Sequence, residues 1–228
     1  MSKPRIAFVN AAHDGADTLK NFRRELDADL VEFHVTDGTI PREFDFDGAV
    51  VSGSRASVYW DEEWIQPTRE WVGEAAERMP VLGVCFGHQL LADALGGTVE
   101  GMNEYEIGYR TVSKTRDDPL LDGLGEEFVV FTTHSDAVTE LPPGAELLAE
   151  NDYGIHGFRK GDAVGVQFHP EYDMETAESV TRRKDDLAEE RKQAVTDDIT
   201  PENFEKACEA KRLFENFTEH ARSASASD

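Results

Sequence analysis

Cysteines, lysines and long apolar runs are scarce in this sequence of 228 residues. It has two cysteines, Cys85 and Cys208, and eight lysines. No stretch approaches the roughly 20 apolar residues of a membrane span. Two cysteines give no disulfide framework, and the first residues enter a strand pattern without a signal-peptide layout, so we expect a cytoplasmic protein. The 23 basic residues against 47 acidic ones argue against nucleic-acid binding, which needs a basic surface.

The formal net charge of −24 is the second unusual feature. Acidic residues are spread through the whole chain, so they repel one another strongly at low ionic strength. Salt at 1 M shortens the Debye length to about 3 Å, which makes such a charge tolerable. We therefore interpret the composition as that of a halophile protein in a salt-loaded cytoplasm. An ordinary acidic enzyme is the alternative.

Apolar and amphipathic segments alternate in the first hundred residues, as in a parallel sheet covered by helices on both faces. The pattern predicts strands at 5–10, 30–35, 49–51 and 81–84. It predicts helices at 17–26, within 62–78 with a restart at Pro67, and at 86–95, closed by Gly96 and Gly97. Later strands follow with few helices between them, at 108–115, 128–138, 145–151, 154–159 and 163–168. We expect one α/β domain with a three-layer, mostly parallel central sheet and a smaller antiparallel region.

The most informative motif is VLGVCFGHQ at 81–89. A short apolar strand runs into G-x-C-x-G and then directly into a helical pattern, which is the layout of a nucleophile elbow. Gly83 and Gly87 flank the turn, where a Cβ would collide with neighbouring backbone. Cys85 stands at the tip, and the positive end of the following helix favours its thiolate. The motif therefore predicts a nucleophilic cysteine.

A nucleophilic thiol needs a base, and the base needs an acid that orients it. The segment GVQFHPE at 165–171 supplies both, because a strand leads to His169 and Glu171 follows two residues later. The order Cys85, His169, Glu171 is that of a catalytic triad with a thiol as nucleophile.

Through GVCFGHQLLADALGG at 83–97 and GVQFHPE, the chain resembles the class I, triad-type glutamine amidotransferases over about residues 5–172. It is most similar to the glutaminase part of GMP synthases and to their free-standing relatives. The resemblance implies a flavodoxin-like fold and no cofactor. It also implies that Cys85 attacks the side-chain amide carbon of glutamine and that His169 protonates the departing ammonia. Glu171 would hold the imidazole, and water would hydrolyse the γ-glutamyl thioester in the second half of the reaction.

Both half-reactions pass through an oxyanion that needs backbone N–H donors, and one lost donor costs about 10²–10³ in rate. The elbow offers the amide of Phe86. By resemblance, the loop SGSRASVY at 52–59 adds the amide of Ser54 and places Gly53 beside the substrate. Ser54-Arg55 stands where the family usually has Gly-Pro, and serine adopts positive φ less easily than glycine. We therefore expect an oxyanion hole that differs in shape from that of the family, or one that forms only when a partner or the substrate binds.

The resemblance also implies contacts with glutamine. Gln89 matches the substrate-contacting glutamine of the family, and FTTHSDAV at 131–138 resembles the loop that holds the α-amino and α-carboxylate groups. The candidates in that loop are Thr133, Ser135 and Asp136. We interpret His134 as structural and His88 as a hydrogen-bonding residue that points away from the thiol. No histidines have ligand spacing such as H-E-x-x-H, so no metal is expected.

After the predicted amidotransferase domain, residues 1–173, comes a charged segment. We expect residues 174–222 to form a helical extension packed on the same domain, and residues 223–228 to be a disordered tail. One helix should cover 181–195 and be largely solvated, and another should start at Thr200-Pro201. From Thr200 onward, one helical face is apolar and carries Phe204, Ala207, Cys208, Phe214 and Phe217. We expect this face either to dock on the protein's own core or to contact a partner, such as a second copy in a homodimer.

Three functions remain open from the sequence. The first is a glutaminase that delivers ammonia to a separate synthase, with glutamine as substrate. The second is a stand-alone hydrolase or transferase of γ-glutamyl amides or peptides, in which Arg55 contacts a carboxylate on a larger leaving group. The third is a non-catalytic regulatory module on the same fold, which the intact Cys85, His169 and Glu171 disfavour.

Overall fold

The computed structural model describes residues 3–13 and 15–225, and these form one nine-stranded sheet flanked by helices. The order across the sheet is β2-β1-β3-β4-β9-β8-β7-β5-β6. The strands are β1 (Arg5–Asn10), β2 (Asp29–His34), β3 (Gly48–Val51), β4 (Val81–Val84), β5 (Thr98–Lys114), β6 (Glu127–Glu140), β7 (Glu146–Asn151), β8 (Gly154–Lys160) and β9 (Ala163–Val166). The helices are α1 (Gly15–Glu25), α2 (Ile65–Ala76), α3 (Phe86–Ala94), α4 (Met174–Arg182), α5 (Glu189–Asp198), α6 (Pro201–Cys208) and α7 (Arg212–Ser225).

The half of the sheet from β2 to β9 is parallel and covered on both faces. Successive side chains of a strand point to opposite faces, so Phe8 joins one core and Val9 the other. The first core packs against α1 and α7, and the second packs against α2 and α3. The predicted three-layer α/β architecture is therefore confirmed.

The other half of the sheet is antiparallel and larger than the sequence suggested. Among the described residues, four of the eight strand pairings are antiparallel, so the sheet is evenly mixed. β5 begins at Thr98, ten residues before the predicted start at Gly108. An irregularity between Gly101 and Glu106 shifts its register against β6. This irregularity interrupts the alternation of side chains, and the sequence pattern therefore lost the first part of the strand.

Two predicted features of the parallel half can be compared with the structure directly. α2 is continuous from Ile65, with Pro67 in its first turn, so the predicted restart at Pro67 is wrong. A proline is tolerated there because first-turn N–H groups have no acceptor within the helix. α3 ends at Ala94, and Gly96 follows with a φ of 92°, which confirms the predicted glycine stop.

The helices after β9 are divided differently from the prediction. The single helix expected at 181–195 is two helices, because α4 ends at Arg182 and α5 begins at Glu189. α5 has no buried residue, which confirms that it is largely solvated. α7 continues to Ser225, so a disordered tail starting at 223 is wrong for 223–225, and 226–228 lie outside the described residues.

The apolar face of α7 docks on the protein's own sheet. Phe214 and Phe217 are almost completely buried, and Phe214 meets Phe22 of α1 edge to face at 5.8 Å. α6 starts at Pro201 as predicted, with Thr200 capping the N–H of Asn203. Because its own core covers these α7 side chains, they are not available for the alternative contact with a second copy. No helix in the described part of the chain is long and apolar enough to cross a membrane.

Candidate active site

Cys85 lies on a strained turn between β4 and α3. Its φ is 53° and its ψ is −104°, and it is the one non-glycine residue with positive φ among residues 3–13 and 15–225. A Cβ on Gly83 would lie 2.3 Å from the carbonyl oxygen of Gly87, and one on Gly87 would lie 2.2 Å from that of Val51. These distances are far below contact, so both glycines are sterically required. The predicted nucleophile elbow is present.

His169 reaches Cys85 because β9 lies next to β4 in the parallel half. The carboxyl ends of parallel strands meet at one edge of the sheet, and His169 follows β9 at that edge. Gly53, from the loop after β3, lies close to both side chains, which also interact directly with each other. A Cβ on Gly53 would lie 3.6 Å from Cys85 Cβ, 3.7 Å from His169 Nε2 and 2.8 Å from His169 Cε1. The fold thus brings together thiol and imidazole from residues 84 positions apart.

Glu171 completes the arrangement from the other side of the imidazole. His169 Nδ1 lies 2.6 Å from Glu171 Oε1, and both side chains are buried. Burial alone would lower the pKa of His169, but the negative charges of Glu171 and of Cys85 as a thiolate raise it to about 10. A buried imidazolium is therefore stabilised between two anions. This is the electrostatic arrangement that a thiolate–imidazolium pair needs.

The imidazole and its carboxylate are held by further contacts that the sequence motif did not reveal. The ring of Tyr172 stacks on that of His169, with centroids 4.2 Å apart and an interplanar angle of 15°. Arg24 donates hydrogen bonds to the backbone oxygen of Glu171 and to the side chain of Asp173. Tyr172 directly follows the HPE motif, where an aromatic residue gives no distinctive signal.

The predicted oxyanion-hole residues are Phe86, which follows Cys85 in the chain, and Ser54, which lies in the loop after β3. Phe86 is the first residue of α3, where N–H groups have no acceptor within the helix. Ser54 follows Gly53, and its hydroxyl accepts a hydrogen bond from the N–H of Ala56. The roles of both amides stay predictions.

A cavity of about 120 Å³ lies beside His169 and Glu171. Gly53, Ser54, Thr133, His169 and Glu171 line it, whereas Cys85 does not. Cys85 is 5% exposed, and its sulfur lies 3.9 Å from the carbonyl oxygen of Thr133. The rim carries basic side chains from two different parts of the chain, namely Arg55, Arg183 and Lys184.

The remaining predicted substrate contacts lie away from the cavity lining. Gln89 is buried and donates to the backbone oxygen of Asp136 and to Gln167 Oε1. The Asp136 carboxylate accepts hydrogen bonds from Ser57 at 2.5 Å and from Tyr59 at 2.8 Å. Ser135 is exposed and is not among the lining residues. The structure therefore places Gly53 and Thr133 in the cavity lining. Gln89, Asp136 and Ser135 lie outside the lining, and the first two make hydrogen bonds with other residues of the protein.

Sequence spacing missed a buried group of three possible metal ligands, Glu106, His134 and His156. His134 Nε2 lies 2.6 Å and His156 Nε2 lies 3.1 Å from Glu106 Oε2. Burial would raise the pKa of Glu106, but hydrogen bonds from both histidines lower it below its ordinary range. Because 2.6 Å is a hydrogen-bond distance, the group as it stands is a hydrogen-bonded network.

His88 is completely buried on α3. Its ring packs against that of Phe158, with centroids 5.1 Å apart. Within the described part of the chain, neither ring nitrogen makes a hydrogen bond of good geometry, but the backbone of Gly165 is close enough to interact with the ring, so the hydrogen-bonding role stays a prediction. Burial lowers its pKa to about 3, which keeps the ring neutral. His88 therefore packs behind the elbow as a neutral ring.

The comparisons with known proteins agree with the geometry. The sequence profile described as "Glutamine amidotransferase class-I" matches residues 17–185. The chain therefore belongs to the class I glutamine amidotransferases.

Its relatives include GMP synthases. The GMP synthase [glutamine-hydrolyzing] of Pyrobaculum aerophilum is 46% identical over 127 residues, which is 54% of this chain and 23% of that protein. A GMP synthase [glutamine-hydrolyzing] subunit of Halobacterium salinarum is 38% identical over 154 residues, 64% of this chain and 78% of that one. The chain thus spans about a quarter of the length of the first relatives. The relatives come from diverse organisms, so they do not support a halophilic source.

Two solved structures have the same fold. A glutamine amidotransferase of Thermotoga maritima aligns with a TM-score of 0.80 at 23% identity and covers 96% of this chain and 100% of its own. A protein of Thermoplasma acidophilum, described as a putative GMP synthase subunit, aligns with a TM-score of 0.70 at 22% identity, over 99% and 98%. At these identities the likeness concerns the fold.

Proposed function

We propose that the protein is a glutaminase that hydrolyses the side-chain amide of glutamine through a thioester on Cys85. The observation that carries the proposal is that Cys85 and His169 lie together beside Gly53 and interact with each other, while His169 contacts Glu171 at 2.6 Å. A thiol, a base and an orienting acid converge there beside a cavity. The family membership of the chain supports the same chemistry.

The reaction has two halves. In the first, the Cys85 thiolate attacks the amide carbon, and a C–S bond forms as the carbonyl oxygen becomes an oxyanion facing the amides of Phe86 and Ser54. His169 then gives its Nε2 proton to the amide nitrogen, the C–N bond breaks and ammonia leaves. In the second half, His169 takes a proton from water, the hydroxide attacks the thioester, and glutamate leaves as the thiolate is restored. Glu171 holds the imidazole throughout.

The test compares the two cysteines. Ammonia release from glutamine is measured for the wild-type protein, for Cys85→Ala and for Cys208→Ala. Cys208 lies on α6, away from the cavity lining, and is the matched control. We expect Cys85→Ala to abolish turnover and Cys208→Ala to retain it. Turnover that survives Cys85→Ala would reject the proposed reaction.

We further propose that the ammonia serves a separate synthase protein in a GMP synthase-like pair. The support is the Halobacterium salinarum relative, which is named as one subunit of such an enzyme and of which this chain covers 78%. The experiment adds a synthetase partner, with ATP and its nucleotide substrate, to the purified protein and measures GMP formation with glutamine as the nitrogen source. GMP formation that depends on Cys85 supports this pathway, and glutamine use that is unaffected by the added partner contradicts it.

Hydrolysis or transfer of γ-glutamyl amides or peptides is the second candidate function. It is favoured by three basic side chains in the cavity lining, Arg55, Arg183 and Lys184, which outnumber the acidic Asp17 and Glu171 there although the net charge of the protein is −24. Such a lining attracts an anionic leaving group. Glutamine and a set of γ-glutamyl peptides with free carboxylates should be compared for the wild-type protein and Arg55→Ala. A preference for the peptides that is lost in Arg55→Ala favours this function. If neither glutamine nor the γ-glutamyl peptides are turned over, the result favours a non-catalytic regulatory module.

We also propose that folding depends on salt and that the compartment is a reducing cytoplasm. The support is the net charge of −24 and the two unpaired cysteines. Screening at about 1 M salt should raise the free energy of unfolding relative to low salt. Equal stability at both salt levels would contradict the first proposal. Size measured by light scattering tests for a homodimer, which would need a surface other than the buried α7 side chains.

A further inference from the structure

A buried hydrogen-bond network connects the antiparallel half of the sheet to the wall of the cavity. Glu106 on β5 is the cross-strand neighbour of His134 on β6, and neither side chain is more than 4% exposed. Asn151 donates to the second oxygen of Glu106 at 2.8 Å. The proposed reaction uses none of these residues.

The two ring nitrogens of His134 both face acceptors. Nε2 lies 2.6 Å from the Glu106 carboxylate, and Nδ1 lies 2.9 Å from the backbone oxygen of Asp136. Neither oxygen can donate when Glu106 is ionised, so a ring with protons on both nitrogens satisfies both contacts. His156 differs, because its Nε2 bonds the same carboxylate oxygen while its Nδ1 has no partner in the described structure.

The segment held by His134 forms part of the cavity. Thr133 lines the cavity, and its carbonyl oxygen faces the sulfur of Cys85. The backbone oxygen of Asp136 also accepts from Gln89 on the elbow helix. His134 therefore lies between two points at which the segment meets the elbow.

A second contact fixes the same segment from β5. The hydroxyl of Tyr105 lies 3.1 Å from Thr133 Oγ1, and Tyr105 directly precedes Glu106 in the irregular part of β5. Two consecutive residues of β5, Tyr105 and Glu106, thus contact two consecutive residues of β6, Thr133 and His134. Such a double contact restricts both sliding and twisting of the segment.

We propose that the Glu106–His134 pair is a positioning device that holds residues 133–136 in register with Cys85 for binding glutamine. His134 is the positioning residue, and it acts through the backbone of Asp136 and Thr133 without touching the substrate. This inference rests on the proposed glutaminase function and extends it to residues that the catalytic motifs do not contain.

The experiment compares His134→Gln with His156→Gln. Both histidines are buried and bond the same oxygen of Glu106, but only His134 also reaches the segment. A glutamine amide at 134 carries its N–H groups on one nitrogen and cannot span both acceptors. Three quantities are measured: kcat/KM for glutamine, the rate of Cys85 alkylation by iodoacetamide, and deuterium exchange of peptides covering 131–137.

We expect kcat/KM to fall about 10²-fold in His134→Gln, as for a misplacement of about 1 Å, and deuterium exchange of 131–137 to rise. Alkylation of Cys85 should stay at the wild-type rate, because the triad is intact. His156→Gln should lower kcat/KM much less. Equal losses in both variants, a matching loss of alkylation, or no loss in either variant would overturn the inference.

Two further measurements test the inference even if the variant does not fold or the proposed function is wrong. If His134→Gln does not fold, histidine-selective ¹⁵N NMR of the wild-type protein decides, because two ring N–H groups on His134 support the network and one overturns it. If wild-type protein does not hydrolyse glutamine, the proposed function fails, while deuterium exchange in the two variants still decides the anchoring. A stoichiometric metal ion in the purified protein, lost in Glu106→Gln, would also overturn the hydrogen-bond account.

Discussion

Replacing Gly53 with alanine tests the geometry of the site with a single methyl group. The added Cβ would lie 2.8 Å from Cε1 of His169, and a relaxed contact needs at least 3.4 Å. The backbone of Gly53 is outside the left-handed region, so alanine adds no strain of its own. The effect of the substitution therefore comes from contact of the added methyl group with the imidazole and with Cys85.

The imidazole has little room to retreat. It must move by about 0.6 Å to go from 2.8 Å to 3.4 Å, yet its Nδ1 is held by Glu171 at 2.6 Å and its face is held by Tyr172 at 4.2 Å. A misplacement of about 1 Å in a catalytic group costs roughly 10²-fold in rate. We expect Gly53→Ala to lower kcat/KM for glutamine by about 10- to 100-fold on that basis.

The assay is steady-state ammonia release, with thermal unfolding as the check on folding. Gly73→Ala is the matched control, because a Cβ at this position in α2 has ordinary contacts of 3.7 Å and more. Alanine in a helix interior is more favourable than glycine by about 0.5–1 kcal/mol, so the control should be active and at least as stable as wild type. Wild-type kcat/KM in Gly53→Ala would refute the reasoning.

Three other predictions concern the imidazole and the C-terminal helix. First, kcat/KM should persist at alkaline pH and fall as the pH rises through about 10, the pKa of His169, because a neutral ring cannot give a proton to the departing amide nitrogen. Glu171→Gln should move this limb to lower pH, and a wild-type limb near 6.5 would contradict the assignment. Second, Tyr172→Phe should retain kcat, whereas Tyr172→Leu should lower kcat by up to about 10-fold, which corresponds to the free energy of one aromatic pair. Equal kcat values in the two variants would contradict a role for stacking. Third, Phe214→Ala should lower the free energy of unfolding by about 3–5 kcal/mol in denaturant titrations, and an unchanged value would contradict the docking of α7.

The sequence was sufficient where short-range geometry determines the outcome. Cys85 sits in a turn whose glycines are required by contacts within the elbow and with Val51, so its motif could be recognised without coordinates. His169 and Glu171 are two residues apart, and their contact is local. The order of the two motifs and their resemblance to the family then predicted that His169 meets Cys85.

The sequence was not sufficient where register between distant strands matters. Glu106 lies before the predicted start of its strand at Gly108, because the irregularity in β5 hides the first part of that strand. Its contact with His156, 50 positions away, depends on how β5, β7 and β8 are ordered. Gln89 matched a family position, yet no local pattern shows that its amide bonds to Asp136 and Gln167.

The most direct test of the account is to trap the acyl intermediate. The protein is mixed with glutamine, quenched in acid within one turnover and digested, and the cysteine peptides are weighed by mass spectrometry. We predict one γ-glutamyl group on Cys85, none on Cys208, and none in His169→Ala within the same time. A γ-glutamyl group on Cys208, or glutamine turnover with no group on Cys85, would contradict the central claim.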